Sequence, residues 1–155
     1  MMTVEMTRDA LDAASRVLSG KGPVQMVNLI RYRAQADYGG QAGGGQAGGG
    51  RLGFPPCSGR EAYLGRYVAA FAQVAGKVAP GETFRPVFLG SVAATVVAPP
   101  GEAWDDIAIV EYASFDALRK IIETPEYEAE AAPHRRAALE DWRFVAALKA
   151  ELPGS

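Results

Sequence analysis

A chain of 155 residues, 48% hydrophobic and 22% charged, suits one cooperative core and is cramped for two. Sixteen Lys and Arg against eighteen Asp and Glu leave a net charge of −2 with no basic cluster, which argues against nucleic acid and anionic membrane as partners. A single cysteine, Cys57, and a single histidine, His134, exclude an internal disulfide and a zinc site of the usual Cys and His ligand count. With neither a signal-like start nor an apolar run of about 18 residues, the expectation is a cytoplasmic protein without metal or cofactor.

Thr7, followed by Leu11, Ala14 and Leu18 and closed by Ser19-Gly20, reads as a capped amphipathic helix within an N-terminal extension, residues 1–22. A single domain follows over 23–150. Val24 to Arg33 is rich in β-formers, and period two puts Val24, Met26, Asn28, Ile30 and Tyr32 on one face, with Gln25, Val27, Leu29, Arg31 and Arg33 on the other. Of the 18 glycines, eight fall in the twelve residues from Gly39 to Gly50, where Gln-Ala-Gly-Gly-Gly occurs twice. A segment with nothing large to bury cannot offset the entropy of ordering its backbone, so about 34–57 reads as a flexible surface insertion. Gly43-x-Gly45-x-x-Gly48 and Gly48-x-Gly50-x-x-Gly53 match the dinucleotide fingerprint in letters only. The tract begins well past the strand and runs into Phe54-Pro55-Pro56, not into a helix N-terminus.

Ser58-Gly59-Arg60-Glu61 is a capping box, and it opens a helix with Tyr63, Tyr67, Ala70, Phe71, Val74 and Val78 on one stripe. Pro86 to Val97 reads as a second strand with Gly90 at a bulge or close approach, and Ile107 to Tyr112 as a third. Ser114 caps a helix carrying Phe115, Leu118, Ile121 and Ile122, and Thr124-Pro125 starts another that Pro133 breaks or restarts. The last element, roughly Asp141 to Leu148, could be a strand or a helix by its pattern; strand is favoured because the preceding helix already supplies the second crossover. After the first helix the order is strand, helix, strand, strand, helix, strand, which is an α+β, ferredoxin-like antiparallel sheet with helices on one face. The second face, carrying residues such as Phe88, Val92 and Val96, lacks helices to cover it; a homodimer that pairs two sheets buries both.

Val27-Asn28-Leu29-Ile30, Ser58-Gly59-Arg60-Glu61-Ala62-Tyr63, Gly90, Trp104-Asp105, Ser114-Phe115, Pro125-Glu126-Tyr127 and His134-Arg135 come in an order and spacing that resembles a bacterial family, domain of unknown function 1330. The resemblance omits the N-terminal helix and the glycine tract. It implies the dimeric α/β-barrel superfamily and a homodimer with ligand pockets between sheet and helices or inside the shared barrel. Related families include cofactor-free monooxygenases, isomerases, haem-degrading enzymes and plain ligand binders, so the fold alone does not name an activity.

In this order the first and third strands are central neighbours, so Asn28 and Glu111 can sit across from each other. On one face they would put an amide beside a carboxylate whose pKa burial raises, suiting Glu111 to proton transfer; in the competing reading Glu111 pairs with an arginine and Asn28 satisfies backbone groups. His134 is the second acid–base candidate, set against a helix-end or surface role, and Arg135 could clamp a substrate carboxylate. Tyr127 lies two helical turns before His134, and Tyr32 shares the Asn28 face. Tyr63 and Tyr67 read as core residues whose phenol tips can reach a cavity, and Trp104 as a cover for the sheet edge with pocket lining as the alternative. Three functions follow: a homodimer binding a small organic molecule, a cofactor-independent oxygenase or isomerase using Glu111 or His134, or a structural or regulatory dimer.

Overall fold

The computed structural model of the chain describes residues 2–39 and 53–154. The glycine-tract repeat, with the surface-loop expectation attached to it, falls on 40–52 and lies outside the described residues. In chain order the elements are α1 (Arg8–Leu18), β1 (Val24–Tyr32), α2 (Gly59–Glu61), a π-helical segment (Ala62–Tyr67), α3 (Val68–Val78), β2 (Phe84–Ser91) and β3 (Asp106–Tyr112). They are followed by α4 (Phe115–Ile122), α5 (Pro125–Glu130), α6 (Ala132–Ala138) and β4 (Leu139–Ala147). The strands form one antiparallel sheet in the order β2-β3-β1-β4, the ferredoxin-like α+β arrangement expected from the element order.

Local chemistry accounts for most of the boundaries. The hydroxyls of Thr7, Ser58, Ser114 and Thr124 each accept a backbone N–H in the first turn of a helix, and Glu61 completes the capping box by accepting the Ser58 N–H. Pro133 sits in the first turn of α6, where its missing N–H costs nothing, and so it separates α5 from α6. β2 is an edge strand, which is why it tolerates Pro86, and a register shift between Pro86 and Phe88 bulges it there.

Two expectations need correction, and one pair of alternatives is decided. β2 ends at Ser91, not Val97, because Val92 N–H donates to Asp105 O (2.8 Å) and the chain leaves the ladder. Val96 therefore lies beyond the sheet, fully exposed. Gly90 is a close approach and not the bulge, since a Cβ there would lie 2.6 Å from the Phe88 ring. The described flanks of the insertion are anchored: Ala36 N–H donates to Cys57 O, Asp37 N–H donates to Ala137 O, and Ala36 and Tyr38 are buried.

The two sheet faces differ sharply. Val24, Met26, Asn28 and Ile30 are buried beneath the helices with Tyr112, Leu118 and Trp142. On the opposite face Val27, Leu29, Ile107 and Ile109 are half-exposed and Val145 is exposed. The N-terminal extension packs on the domain: Arg119 of α4 bonds both Asp12 and Ser15 of α1 (2.8 Å each), and Thr3 N–H donates to Asp141 Oδ1.

Candidate functional site

Between the helical layer and the covered sheet face lies a cavity of about 390 Å³, in the range of small-molecule sites. Its floor is strand residues brought onto one face by register: Asn28 opposite Ala108 and Phe144, with Val110, Tyr112 and Trp142 around them. Its roof is Tyr63, Leu64, Tyr67 and Phe71 from the π-helical segment and α3. Val68, Ala72 and Leu89, all exposed, form the rim. The six-residue π-helical stretch is a feature that apolar spacing alone did not reveal, and such segments recur at functional sites.

Polar groups are few, and the protein itself occupies several of them. Asn28 Oδ1 accepts from Trp142 Nε1 (2.9 Å), and its amide donates to Met26 O and Ala108 O, so both ends of the Asn28 side chain have protein partners. Tyr67 and Tyr127 hydroxyls meet at 2.8 Å, and Arg135 Nη1 donates to Tyr127 Oη at 2.6 Å. Arg135 is 1% exposed, lies between the Tyr127 and Trp142 rings, and pairs with Glu5 through Nη2 (3.1 Å). The hydroxyls of Tyr63 and Tyr112 have no hydrogen-bond partner among the described residues. Burial, then the neighbouring tyrosines, pushes the phenols of Tyr63, Tyr67 and Tyr112 well above their ordinary pKa, so all three stay protonated.

The structure does not bring Glu111 to this site. β1 and β3 pair Gln25 with Glu111 and Asn28 with Ala108, so Asn28 and Glu111 point to opposite faces. Glu111 accepts from Gln25 Nε2 (2.6 Å) and pairs with Arg85 and Lys149; the Gln25 hydrogen bond and those charges lower its pKa, the reverse of what a proton shuttle needs.

His134 is also elsewhere. It is a buried residue of α6, with Nδ1 2.7 Å from Tyr38 Oη and its ring edge-to-face with that of Phe54 (4.6 Å between centroids). Burial and the nearby Arg66 lower its pKa. Tyr32 donates to the buried Asp106 (2.8 Å), which also accepts from Arg60, and so secures the end of the sheet. Trp104 lies outside the cavity, with the Arg143 guanidinium 5.2 Å over its ring, while Asp105 accepts the Tyr32 N–H.

Thus, of the residues singled out from sequence, Asn28, Tyr63 and Tyr67 line the cavity, Tyr127 and Arg135 stand directly behind it, and Glu111, His134, Tyr32 and Trp104 do not reach it. Tyr112 and Met6 are among the lining residues not expected at the site. Tyr112 was legible in principle, since it alternates with Ala108 and Val110 on the Asn28 face. Met6, which lines the cavity from the N-terminal extension, left no such signal. Among the described residues no three His, Cys, Asp or Glu side chains gather as metal ligands would, and no helix is long and apolar enough to cross a membrane.

Comparison with solved structures places this architecture. The chain is similar to the crystal structure of the RPA0582 protein of unknown function from Rhodopseudomonas palustris, with 27% identity over 98% of this chain and 100% of that one and a TM-score of 0.73. The crystal structure of methylated RPA0582 protein matches at 30% identity over 99% and 98% of the two chains, with a TM-score of 0.70. The chain belongs to the RPA0582 family. No family model matches the chain, and no curated protein does. The RPA0582 relationship carries the sheet and helices of the fold, and it leaves the chemistry of the cavity to be argued from the residues that line it.

Proposed function

We propose that this member of the RPA0582 family binds a small, largely apolar organic molecule without transforming it, and does so as a homodimer of the dimeric α/β-barrel kind, as its resemblance to the domain of unknown function 1330 family implies. One observation carries the binding reading: the cavity is walled by aromatic and aliphatic side chains, and the titratable groups lining it are phenols that burial keeps protonated. Such groups can orient a ligand but lack acid–base poise near neutrality. The enzymatic alternative rested on Glu111 and His134, and both lie away from the cavity in partnered settings. The dimer reading is supported by the second sheet face, where Val27, Leu29, Ile107, Ile109 and Val145 form an apolar patch on which no helix among the described residues packs.

The test has two arms. Light scattering on the full chain is expected to give a dimer, with Val27→Asp giving a folded monomer; a wild-type monomer would overturn the dimer. A thermal-shift screen of small aromatic compounds is expected to raise Tm for at least one, with no turnover of that compound. Turnover, or no shift across the screen, would overturn the binding reading.

A further inference from the structure

Resting on that binding reading, the arrangement of hydrogen atoms around the cavity narrows the ligand class. Arginine has donors only, so Tyr127 Oη must accept from Arg135 Nη1. Tyr127 is 2% exposed. Were its oxygen also to accept from Tyr67, its own hydrogen would be stranded in the interior, at a cost of about 1–3 kcal/mol. The favourable order is therefore Arg135 to Tyr127 to Tyr67, each group polarising the next. This leaves the Tyr67 hydrogen pointing onward with no acceptor on the protein among the described residues, on a residue that lines the cavity.

Two further hydroxyls, on Tyr63 and Tyr112, line the same cavity without a protein partner. The Tyr63 and Tyr67 rings are 5.0 Å apart, so their donors belong to one neighbourhood. The other polar side chain of the cavity, Asn28, already accepts from Trp142 through Oδ1 and gives both amide hydrogens to backbone carbonyls. The site therefore offers one donor whose direction the relay fixes, Tyr67, beside two hydroxyls free to turn and donate with it. A ligand ammonium, which only donates, gains little from such a donor, and a ligand hydroxyl brings a hydrogen of its own that needs an acceptor, whereas a carbonyl oxygen can satisfy two donors at once.

Charge decides between acceptor types. Arg135 is already ion-paired with Glu5, and the walls are apolar, so an ionised carboxylate would lose its hydration without gaining a free cation from Arg135. We infer that the cavity takes a neutral carbonyl compound of aromatic size, its oxygen held by the Tyr67 hydroxyl at the end of the Arg135–Tyr127 relay together with that of Tyr63 or Tyr112.

Three probes of one shape test this on the full chain by isothermal titration: 2-acetylnaphthalene, 2-ethylnaphthalene and 2-naphthoate. The ketone is expected to bind about tenfold more tightly than the hydrocarbon, the ratio that one to two added hydrogen bonds supply, and more tightly than the carboxylate. Tyr67→Phe is expected to remove most of the ketone's advantage and leave the hydrocarbon's Kd unchanged. Tyr63→Phe deletes a hydroxyl with no protein partner, so it keeps the fold and still lowers the ketone's advantage should Tyr67→Phe fail to fold. Equal binding of ketone and hydrocarbon by the wild type, or an undiminished ketone preference in both variants, would overturn the carbonyl assignment while the binding reading stands. Tightest binding by 2-naphthoate would overturn the neutral-ligand choice. If none of the three binds, the cavity reading fails and this inference with it.

Discussion

The two faces of the sheet are built from alternating residues of the same strands, yet they follow different rules. On the covered face Val24, Met26 and Ile30 are sealed by helices, and the one polar residue among them, Asn28, has every hydrogen-bonding group satisfied. On the open face Gln25, Glu111, Arg85 and Lys149 form a hydrogen-bonded and ionic cluster at one end and Arg31, Asp141 and Arg143 lie toward the other, while Val27, Leu29, Ile107 and Ile109 are half-exposed between them. The covered face therefore stores the stability of the single chain, and what the open face contributes depends on what covers it. An internal cavity survives on the covered face because large rings at its edges, Phe71, Phe84 and Tyr112, brace one another edge-on or stacked across the gap.

Paired truncations probe this contrast most strongly. Ile30→Ala is expected to cost about 4 kcal/mol in urea unfolding at any protein concentration, because it empties a sealed site. Ile109→Ala, on the open face, is expected to cost about 1 kcal/mol, by an amount that changes with protein concentration if the proposed second copy covers it, because such a residue acts through association. Equal, concentration-independent losses would erase the distinction between the faces.

Gly59→Ala comes next. A Cβ there would lie 2.2 Å from Arg33 O and 2.6 Å from Ala138 O, backbone atoms that join the end of β1 to α2 and α6. The expected loss is about 3 kcal/mol, from overpacking that no side-chain rotation relieves; a melt unchanged from wild type would show that the helical layer sits more loosely on the sheet than its contacts imply.

The smallest effect is a titration. The folded-state pKa of His134 is lowered by burial and Arg66, so the unfolded chain binds its proton more readily. The stability this contributes is present above the unfolded value of about 6.5 and is lost as pH falls below it toward the folded value. Urea midpoints are expected to decline across that interval in the wild type and to decline less in His134→Gln; identical slopes would remove His134 from the account.

How much of this could be read without coordinates follows from the range of each interaction. The helix starts at Thr7, Ser58, Ser114 and Thr124 and the break at Pro133 were legible because capping and proline geometry act within a few residues. The strand order followed from the succession of elements, since few topologies accept it. The partnership of Asn28 with Glu111 failed on parity. In the observed register the partner numbers across β1 and β3 sum to 136, so even residues of β3 share Asn28's face and odd ones, Glu111 among them, do not. One residue of slip would reverse this, and nothing near either residue states the register. His134 and Arg135 are adjacent in sequence, yet one packs against Tyr38 and Phe54 and the other behind Tyr127 and Trp142.

The amino-acid sequence by itself determined the element types, their caps, the sheet's order and the small set of aromatic residues that face inward, because these depend on local propensity, alternation and a short menu of topologies. The tertiary structure alone decided which polar groups meet: the pairing of Asn28 with Trp142, the removal of Glu111 to the open face, the Arg135–Tyr127–Tyr67 relay and the entry of Met6 and Glu5 from the N-terminal extension. Those depend on cross-strand register and on contacts between residues as far apart as 130 positions, which no local pattern encodes.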